Sequence, residues 1–313
     1  MIEKIKFSIA IPAYKGRFLY ECIESVLSQT YKNFEVIIVD DNSPEDLFSI
    51  VNQFKDKRIQ YYRNEIGFGG ENVVGNWNKC LEHASGEFVI CMGDDDKLKP
   101  NCLADYVGII EKYPDLDLYH TRTEIIDENS TVYNIQEPRP LFESVYSLIW
   151  YRMNGRRQFI GDFLFRVSSL KKIGGFFQLP TGCCSDDISA CIVASSKGVA
   201  NTQTPGFQYR DNDLTLSRCG TNMLGKAIAF MTAKDWYRTF IDNSLVDNEL
   251  DSLYIQLISL KLDAYINSNV AYCCRMDIYN RGVVALKYWY SNRQRYNIST
   301  RFLLKNFLIR VLK

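Results

Sequence analysis

Three acidic clusters are the residues of this chain best suited to chemistry: Asp40-Asp41, Asp94-Asp95-Asp96 and Asp186-Asp187. The first closes the apolar run Val36-Ile37-Ile38-Val39, and the second follows Phe88 to Met92 through Gly93. Carboxylates crowded at neighbouring strand ends repel one another at the effective dielectric of a protein surface, so a cation or fixed donors must sit among them. Hard oxygen ligands in a row recruit Mg2+ or Mn2+ together with substrate phosphates, which makes the triplet a metal-ligand candidate. Asp186-Asp187 precedes an apolar helical stripe, Ile188, Cys191 and Ile192. A carboxylate there can cap the helix. Each cluster alone can also be read as a cap or a solvated turn. Two clusters at successive strand ends weaken that joint reading.

The elements that must position these acids follow from hydrophobic spacing. Over residues 1–125 short apolar runs alternate with helical patterns, the mark of a parallel α/β sheet. Phe7 to Ile11, Val36 to Val39, Ile59 to Tyr62 and Phe88 to Met92 read as strands. Leu19, Cys22, Ile23, Val26 and Leu27 form one face of a helix. Ser43 is expected to cap a second helix, with Pro44 at its first position and Asp46 completing a capping box. A third helix carries Val73, Trp77, Cys80, Leu81 and Ala84, and Pro100 opens a fourth. From about 125 to 220 the pattern is less regular, with strands expected at Thr131 to Ile135 and Asp162 to Val167 and a helix at Phe142 to Met153. Beyond Asn222 the spacing is helical, with Leu250, Leu253, Tyr254, Leu257 and Ile258 as one stripe. In open α/β sheets ligands bind at the carboxyl ends of strands, where the first two clusters fall.

At 313 residues with 46% hydrophobic content the chain can bury a full core. Its formal net charge is zero, so no global basic field argues for nucleic acid. The ten cysteines include Cys22, Cys80 and Cys91 inside apolar segments and no CxxC pair, which reads as reduced core thiols. His83 and His120, the only histidines, fall in helix and strand patterns and read as structural. No run approaches the ~18 apolar residues of a membrane span, and the first apolar piece is too short for a signal peptide. A cytoplasmic location is expected.

The run Phe7-Ser8-Ile9-Ala10-Ile11-Pro12-Ala13-Tyr14, then Ser25 to Tyr31, then Val39-Asp40-Asp41-Asn42-Ser43, resembles family 2 glycosyltransferases of the GT-A fold. So do Asn78-Lys79-Cys80-Leu81, Ala84-Ser85-Gly86-Glu87 and the triplet followed by Pro100. The resemblance is strong over about 1–125, weaker over 160–217 and absent beyond. It implies a Rossmann-like, mostly parallel sheet within a catalytic domain 1–221, whose donor half is 1–125 and acceptor half 126–221, followed by a helical region 222–313. The implied reaction is an inverting transfer from a nucleotide-sugar, a UDP-sugar by resemblance, to a hydroxyl of a glycan or lipid-linked acceptor.

Carried over position by position, the resemblance places the nucleotide base on Asp40 or Asp41, with Pro12, Ala13 and Tyr14 lining the pocket and Asn78 in the same donor set. The family's metal motif is Asp-x-Asp-Asp, and alignment on Pro100 puts Gly93 at its first position. Asp95 then becomes the principal ligand of Mn2+ or Mg2+, Asp94 the ribose or second contact, and Asp96 a support. Asp186-Asp187 resembles the family's catalytic pair, and counting back from Gly198 favours Asp187 as base with Asp186 the alternative. Tyr209-Arg210-Asp211-Asn212 resembles a Tyr-Arg-x-His segment, with Asn212 where some members bind metal through His. Arg210 either meets the diphosphate or pairs with a nearby Asp.

From Arg281 to Lys313 there are eight Lys or Arg and no acid. Leu303, Leu304, Phe307, Leu308 and Val311 share a helical face there. This end is expected either to lie on an anionic membrane or to pack on the catalytic domain with a solvated basic face. Two rival functions stand beside the transferase. A nucleotidyltransferase is faintly echoed by Lys15-Gly16-Arg17, and a catalytically silent glycosyltransferase-like binding module is opposed by the acids in all three clusters. The absence of GxGxxG after the first strand disfavours a dehydrogenase.

Overall fold

The computed structural model describes residues 5–212 and 222–311. The 221/222 boundary expected from the sequence and the tip of the basic tail lie outside the described residues. The chain divides into two compact units, one made of Met1–Gln178 with Ser185–Asn212, the other of Leu179–Cys184 with Asp213–Lys313.

The first unit runs β1 (Phe7–Ala13), α1 (Leu19–Leu27), β2 (Phe34–Asp40), α2 (Leu47–Val51), β3 (Ile59–Arg63), α3 (Val73–His83), β4 (Phe88–Cys91), β5 (Lys97–Leu98) and α4 (Cys102–Lys112). It continues with β6 (Leu118–Ile126), β7 (Val132–Ile135), β8 (Phe142–Glu143), α5 (Val145–Met153), β9 (Phe163–Arg166), α6 (Val167–Lys172), α7 (Ser185–Ala194) and β10 (Val199–Arg210). Among the described residues the strands form one sheet in the order β3-β2-β1-β4-β9-β6-β10-β5, with β7 on β6 and β8 on β10. β1 pairs in parallel with β2 and β4, β2 with β3, and β6 with β10; β9 runs antiparallel between β4 and β6.

Every residue of β2 and β4 is buried, which is why these strands read as unbroken apolar runs. The alternate β1 residues Phe7, Ile9 and Ile11 share one core with Leu19, Cys22, Ile23 and Val26 of α1 and with Leu103, Tyr106 and Val107 of α4. Burying each large side chain contributes about 1.5–3 kcal/mol. Glu35 is the exception inside β2. It accepts hydrogen bonds from Lys6 Nζ at 2.7 Å, Ser8 Oγ at 2.7 Å and Ser85 N at 2.8 Å. Burial alone would raise its carboxyl, but those donors outweigh it and hold the group down to about 2.

Two boundaries differ from expectation. α2 begins after Asp46, whose Oδ1 accepts the Ser49 N–H at 3.1 Å, so Asp46 is the cap and Pro44 lies outside the helix. Ser43 Oγ instead accepts from Glu45 N in a tight local turn. Phe142-Glu143 is a strand on β10, and the helix starts only at Val145, capped by Ser144. Both histidines are structural: His83 stacks on Tyr62 at 3.6 Å, and buried His120 lies 3.4 Å from Asp162. Burial, then the nearby Arg139, lowers His120 to about 4, so it is neutral near pH 7.

The second unit holds α8 (Met223–Asp242), α9 (Glu249–Arg281), α10 (Val283–Ser291) and α11 (Thr300–Val311). The 33-residue α9 buries Ile258, Leu262, Ile266, Val270 and Cys274, spaced by four residues. Leu250 and Leu253, expected in the apolar stripe, are exposed. Buried Asp277 ties α9 to α10 by accepting from Trp289 Nε1 at 2.7 Å. Gly282, at φ +60°, makes the break between those helices. On α11 Leu303 is buried, while Leu304, Leu308, Ile309 and Val311 are exposed. Among the described residues no helix is long and apolar enough to cross a membrane.

Candidate active site

The parallel register of β1 with its two neighbours brings three loop starts together. Met92 N donates to Ala10 O at 3.0 Å, Asp41 N donates to Ala13 O at 2.9 Å, and Ser43 Oγ donates to Tyr14 O at 2.7 Å. The acidic triplet and the Asp40-Asp41 pair therefore flank the Pro12–Tyr14 turn.

Within the triplet the three carboxylates do different work. Asp94 is buried, and its Oδ2 accepts the backbone N–H groups of Tyr14 and Lys15, each at 2.7 Å. Asp96 is buried and accepts Arg210 N at 2.9 Å and Gly93 N at 3.3 Å. Asp95 alone keeps part of its surface exposed, and Asn212 Nδ2 donates to its Oδ2 at 3.0 Å. Burial, then the charge of Asp95, pushes Asp94 up to about 6, and the same two causes push Asp96 well above the usual carboxylate range. A cation beside Asp95 would relieve this crowding.

The donor set fits a cation held largely by substrate. Among the described residues no three His, Cys, Asp or Glu side chains converge as ligands. Mg2+ and Mn2+ sites of one or two carboxylates completed by phosphate oxygens and water need no more than Asp95 supplies.

Asp40 is sealed: its carboxylate accepts from Tyr61 Oη at 2.6 Å, Arg63 Nη1 at 2.6 Å and Ser43 N at 2.7 Å. Asp41, 7% exposed, accepts from Asn64 Nδ2 at 3.0 Å, Phe68 N at 2.8 Å and Gly69 N at 2.9 Å, and so folds the loop after β3 onto itself. A Cβ at Gly67 would lie 2.4 Å from Asp41 O, so only glycine allows that approach. Of the expected pocket, Tyr14 is 47% exposed and Pro12 partly so, while Ala13 is buried. Asp40, Asp41 and Ala13 are all buried, and of these expected pocket residues Tyr14 and Pro12 reach the surface.

Two further candidates are engaged within the protein. Arg210 is fully buried; its Nε donates to Asp95 O at 2.8 Å, Nη1 to Asp127 O and Glu128 O at 3.2 Å, and Nη2 to Glu21 Oε2 at 2.9 Å. Its guanidinium also lies 4.2 Å over the Phe18 ring. This residue braces the triplet through the backbone of Asp95 and through Asp96. Asn78 spends both ends of its amide on the backbone of Phe176, accepting at 2.8 Å and donating at 3.2 Å.

The third cluster opens α7. Asp187 is 1% exposed, with Arg152 Nε at 2.9 and 3.0 Å from its two oxygens and Gln158 Nε2 at 2.6 Å. Asp186 keeps part of its surface. Desolvation of its carboxyl, then the charge of Asp187, pushes Asp186 up to about 8. The Phe159 ring, next to Gln158, stacks on Tyr209 at 3.9 Å, and Tyr209 precedes Arg210. That stack joins the support of α7 to the support of the triplet. Glu21, Arg152 and Gln158 carried no signal in the sequence, because their partners lie 189, 35 and 29 residues away.

The model of glycosyl transferase family 2 matches residues 8–174. Among curated relatives, a UDP-Glc:alpha-D-GlcNAc-diphosphoundecaprenol beta-1,3-glucosyltransferase of Escherichia coli is 41% identical over 105 residues, 33% of this chain and 41% of its own. A GalNAc(5)-diNAcBac-PP-undecaprenol beta-1,3-glucosyltransferase of Campylobacter jejuni is 39% identical over 102 residues, 32% of each chain. The match thus spans about a third to two fifths of the length of these relatives. The fold resembles S. aureus TarS 1-349 in complex with UDP-GlcNAc, with a TM-score of 0.66 at 15% identity, covering 97% of this chain and 89% of that one. It also resembles a mannosyltransferase of Pyrobaculum calidifontis in complex with GDP-Man and Mn2+, with a TM-score of 0.53 at 14% identity, covering 98% and 86%. With more than half of its residues matched, and with the GT-A architecture around the triplet, the chain belongs to glycosyl transferase family 2.

Proposed function

We propose that the chain transfers a sugar from a nucleotide-sugar, a UDP-sugar first among them, onto a hydroxyl of a glycan or lipid-linked acceptor, inverting the anomeric carbon in one displacement. The observation that carries this reading is the division of labour in the triplet: Asp94 and Asp96 are buried and spent on backbone donors, leaving Asp95 as the presented carboxylate. The relatives named for undecaprenol-diphosphate substrates and the neighbours bound to UDP-GlcNAc or GDP-Man support the donor and acceptor classes.

In this reading Asp95 holds Mn2+ or Mg2+ against the donor diphosphate, with Asn212 orienting its carboxylate. When bound, the cation supplies charge neutralisation at the leaving diphosphate. Tyr14 offers its exposed ring to the nucleoside, and Asp41 shapes the loop beside it. The α7 pair supplies the proton acceptor. A base must come within hydrogen-bond reach of the acceptor hydroxyl. Asp187, sealed and clamped, is poorly placed for that, so the role passes to Asp186, the reverse of the order favoured by spacing. The basic end of the chain is proposed to rest on an anionic membrane through the exposed apolar side chains of α11.

The test is a thermal-shift screen of UDP-, GDP- and dTDP-sugars with and without Mn2+, followed by transfer assays. A metal-dependent stabilisation by one nucleotide class, lost in Asp95→Asn, is the expected result. Equal binding and transfer by Asp95→Asn would overturn the reading.

A further inference from the structure

Behind the α7 pair lies a clamp that the proposed chemistry has not yet used. Arg152 reaches Asp187 from the last turn of α5, and its side chain is 29% exposed against 2% for Asp187. Gln158, 6% exposed, donates to the same carboxylate from the segment before β9. We propose that Arg152 and Gln158 are positioning residues, which fix the Asp187 carboxylate in one orientation and so set the geometry and the local charge around Asp186 where it faces the acceptor hydroxyl. This rests on the reading that the α7 pair supplies the proton acceptor.

The geometry argues for a carboxylate held in one orientation. Arg152 Nε is almost equidistant from both Asp187 oxygens, and the 2.6 Å bond from Gln158 selects Oδ1, so rotation of the carboxylate breaks at least one charge-assisted bond. Among the described residues the charges facing the pair are few. Arg152 of α5 opposes the negative charge of Asp186, whereas Asp187 and the buried Asp162 before β9 add to its crowding. On α7 itself, Cys191 is buried and its thiol is pushed up by burial and then by the two aspartates, so it stays neutral. Arg156 is engaged with Glu143 at 3.0 Å, and Arg139 lies 3.9 Å from the same residue. Among the described residues Arg152 is therefore the cation that acts on the pair.

Removing an opposite charge near a carboxylate raises the pH at which it ionises, by roughly one to three units. Removing a like charge lowers it. Turnover that needs Asp186 ionised should therefore fall on the acid side, and its acidic limb should respond with opposite signs to the two deletions.

The experiment is the pH dependence of kcat and of donor KM for the full chain and its Arg152→Met, Arg152→Lys, Gln158→Met, Asp187→Asn and Asp186→Asn variants. Folding is checked by thermal melts, and donor binding by titration with UDP and Mn2+. The expected result is an acidic limb moved upward by about one unit or more in Arg152→Met, moved less in Gln158→Met, and near its original place with lower kcat in Arg152→Lys. In Asp187→Asn the limb moves downward, with donor KM unchanged throughout. Limbs that stay in place in folded Arg152→Met and Gln158→Met would overturn the clamp. Should Arg152→Met fail to fold, Arg152→Lys and Gln158→Met decide the question. Near-normal turnover with an unmoved limb in both Asp186→Asn and Asp187→Asn would instead sink the proton-acceptor reading itself.

Discussion

Replacing Arg210 separates the two roles the sequence left open for it. Arg210→Met keeps the backbone N–H that Asp96 accepts but deletes every guanidinium bond. Asp95 O and Glu128 O lose this donor, Asp127 O keeps the Ser130 N–H at 3.1 Å, and the stack on Phe18 goes with the guanidinium. A buried carbonyl left unpaired costs about 1–3 kcal/mol, a penalty that bears on the half-buried Asp95 O, whereas Glu128 is exposed and water can replace its bond. Glu21 adds little, since its side chain is 42% exposed and water can take over. The sum is about 1–3 kcal/mol, a sizeable share of the 5–15 kcal/mol typical of a folded domain. Urea unfolding of the ligand-free protein measures it directly, and titration with UDP and Mn2+ on the folded fraction reads the donor site. The expected outcome is a much lower unfolding midpoint, with Arg210→Lys intermediate because an ammonium cannot serve four acceptors in a plane. A loss of stability under about 1 kcal/mol, coupled to a tenfold rise in donor KM, would refute the reasoning and return Arg210 to the diphosphate.

Three other outcomes follow from the same geometry. Asp186→Asn should stabilise the ligand-free protein: a carboxyl raised to about 8 when folded disfavours its own ionised form, so the penalty is absent below the ordinary carboxylate range, grows as pH rises toward about 8 and is constant above it. Melting curves at pH 5 and pH 8.5 check this, and a larger gain at the lower pH would contradict it. Gly67→Ala should slow transfer and destabilise the protein by about 1–3 kcal/mol, because the added carbon meets Asp41 O; an unchanged melting temperature and donor KM would count against the tight loop. Leu304→Ser with Leu308→Ser should reduce co-sedimentation with vesicles containing anionic lipid several-fold, without changing the melt, since both side chains are exposed; equal sedimentation would remove α11 as the contact.

Some of the fold was open to reading because its cause is local. The apolar runs that became β1, β2 and β4 are buried on both faces, and the helical stripe of α1 faces the same core, so pattern and environment coincide. Where local patterns competed, the reading slipped. Ser43 and Asp46 both suit a cap, and only the hydrogen bond from Ser49 N to Asp46 decides between them. Leu250 and Leu253 repeat at helical spacing yet lie on the face of α9 turned to solvent, because a stripe shows where apolar residues are and not which neighbour covers them.

The sequence by itself determined the family, the sheet, and the acids that crowd its strand ends, since these depend on residue type and short spacing. It could not divide the work among those acids. That Asp95 is presented while Asp94 and Asp96 are spent, that Arg210 is a buried strut, and that Asp187 is clamped while Asp186 keeps part of its surface, depends on partners brought together across tens to more than a hundred residues. Burial and hydrogen-bond partnership are properties of the assembled neighbourhood, so only the tertiary structure could decide them.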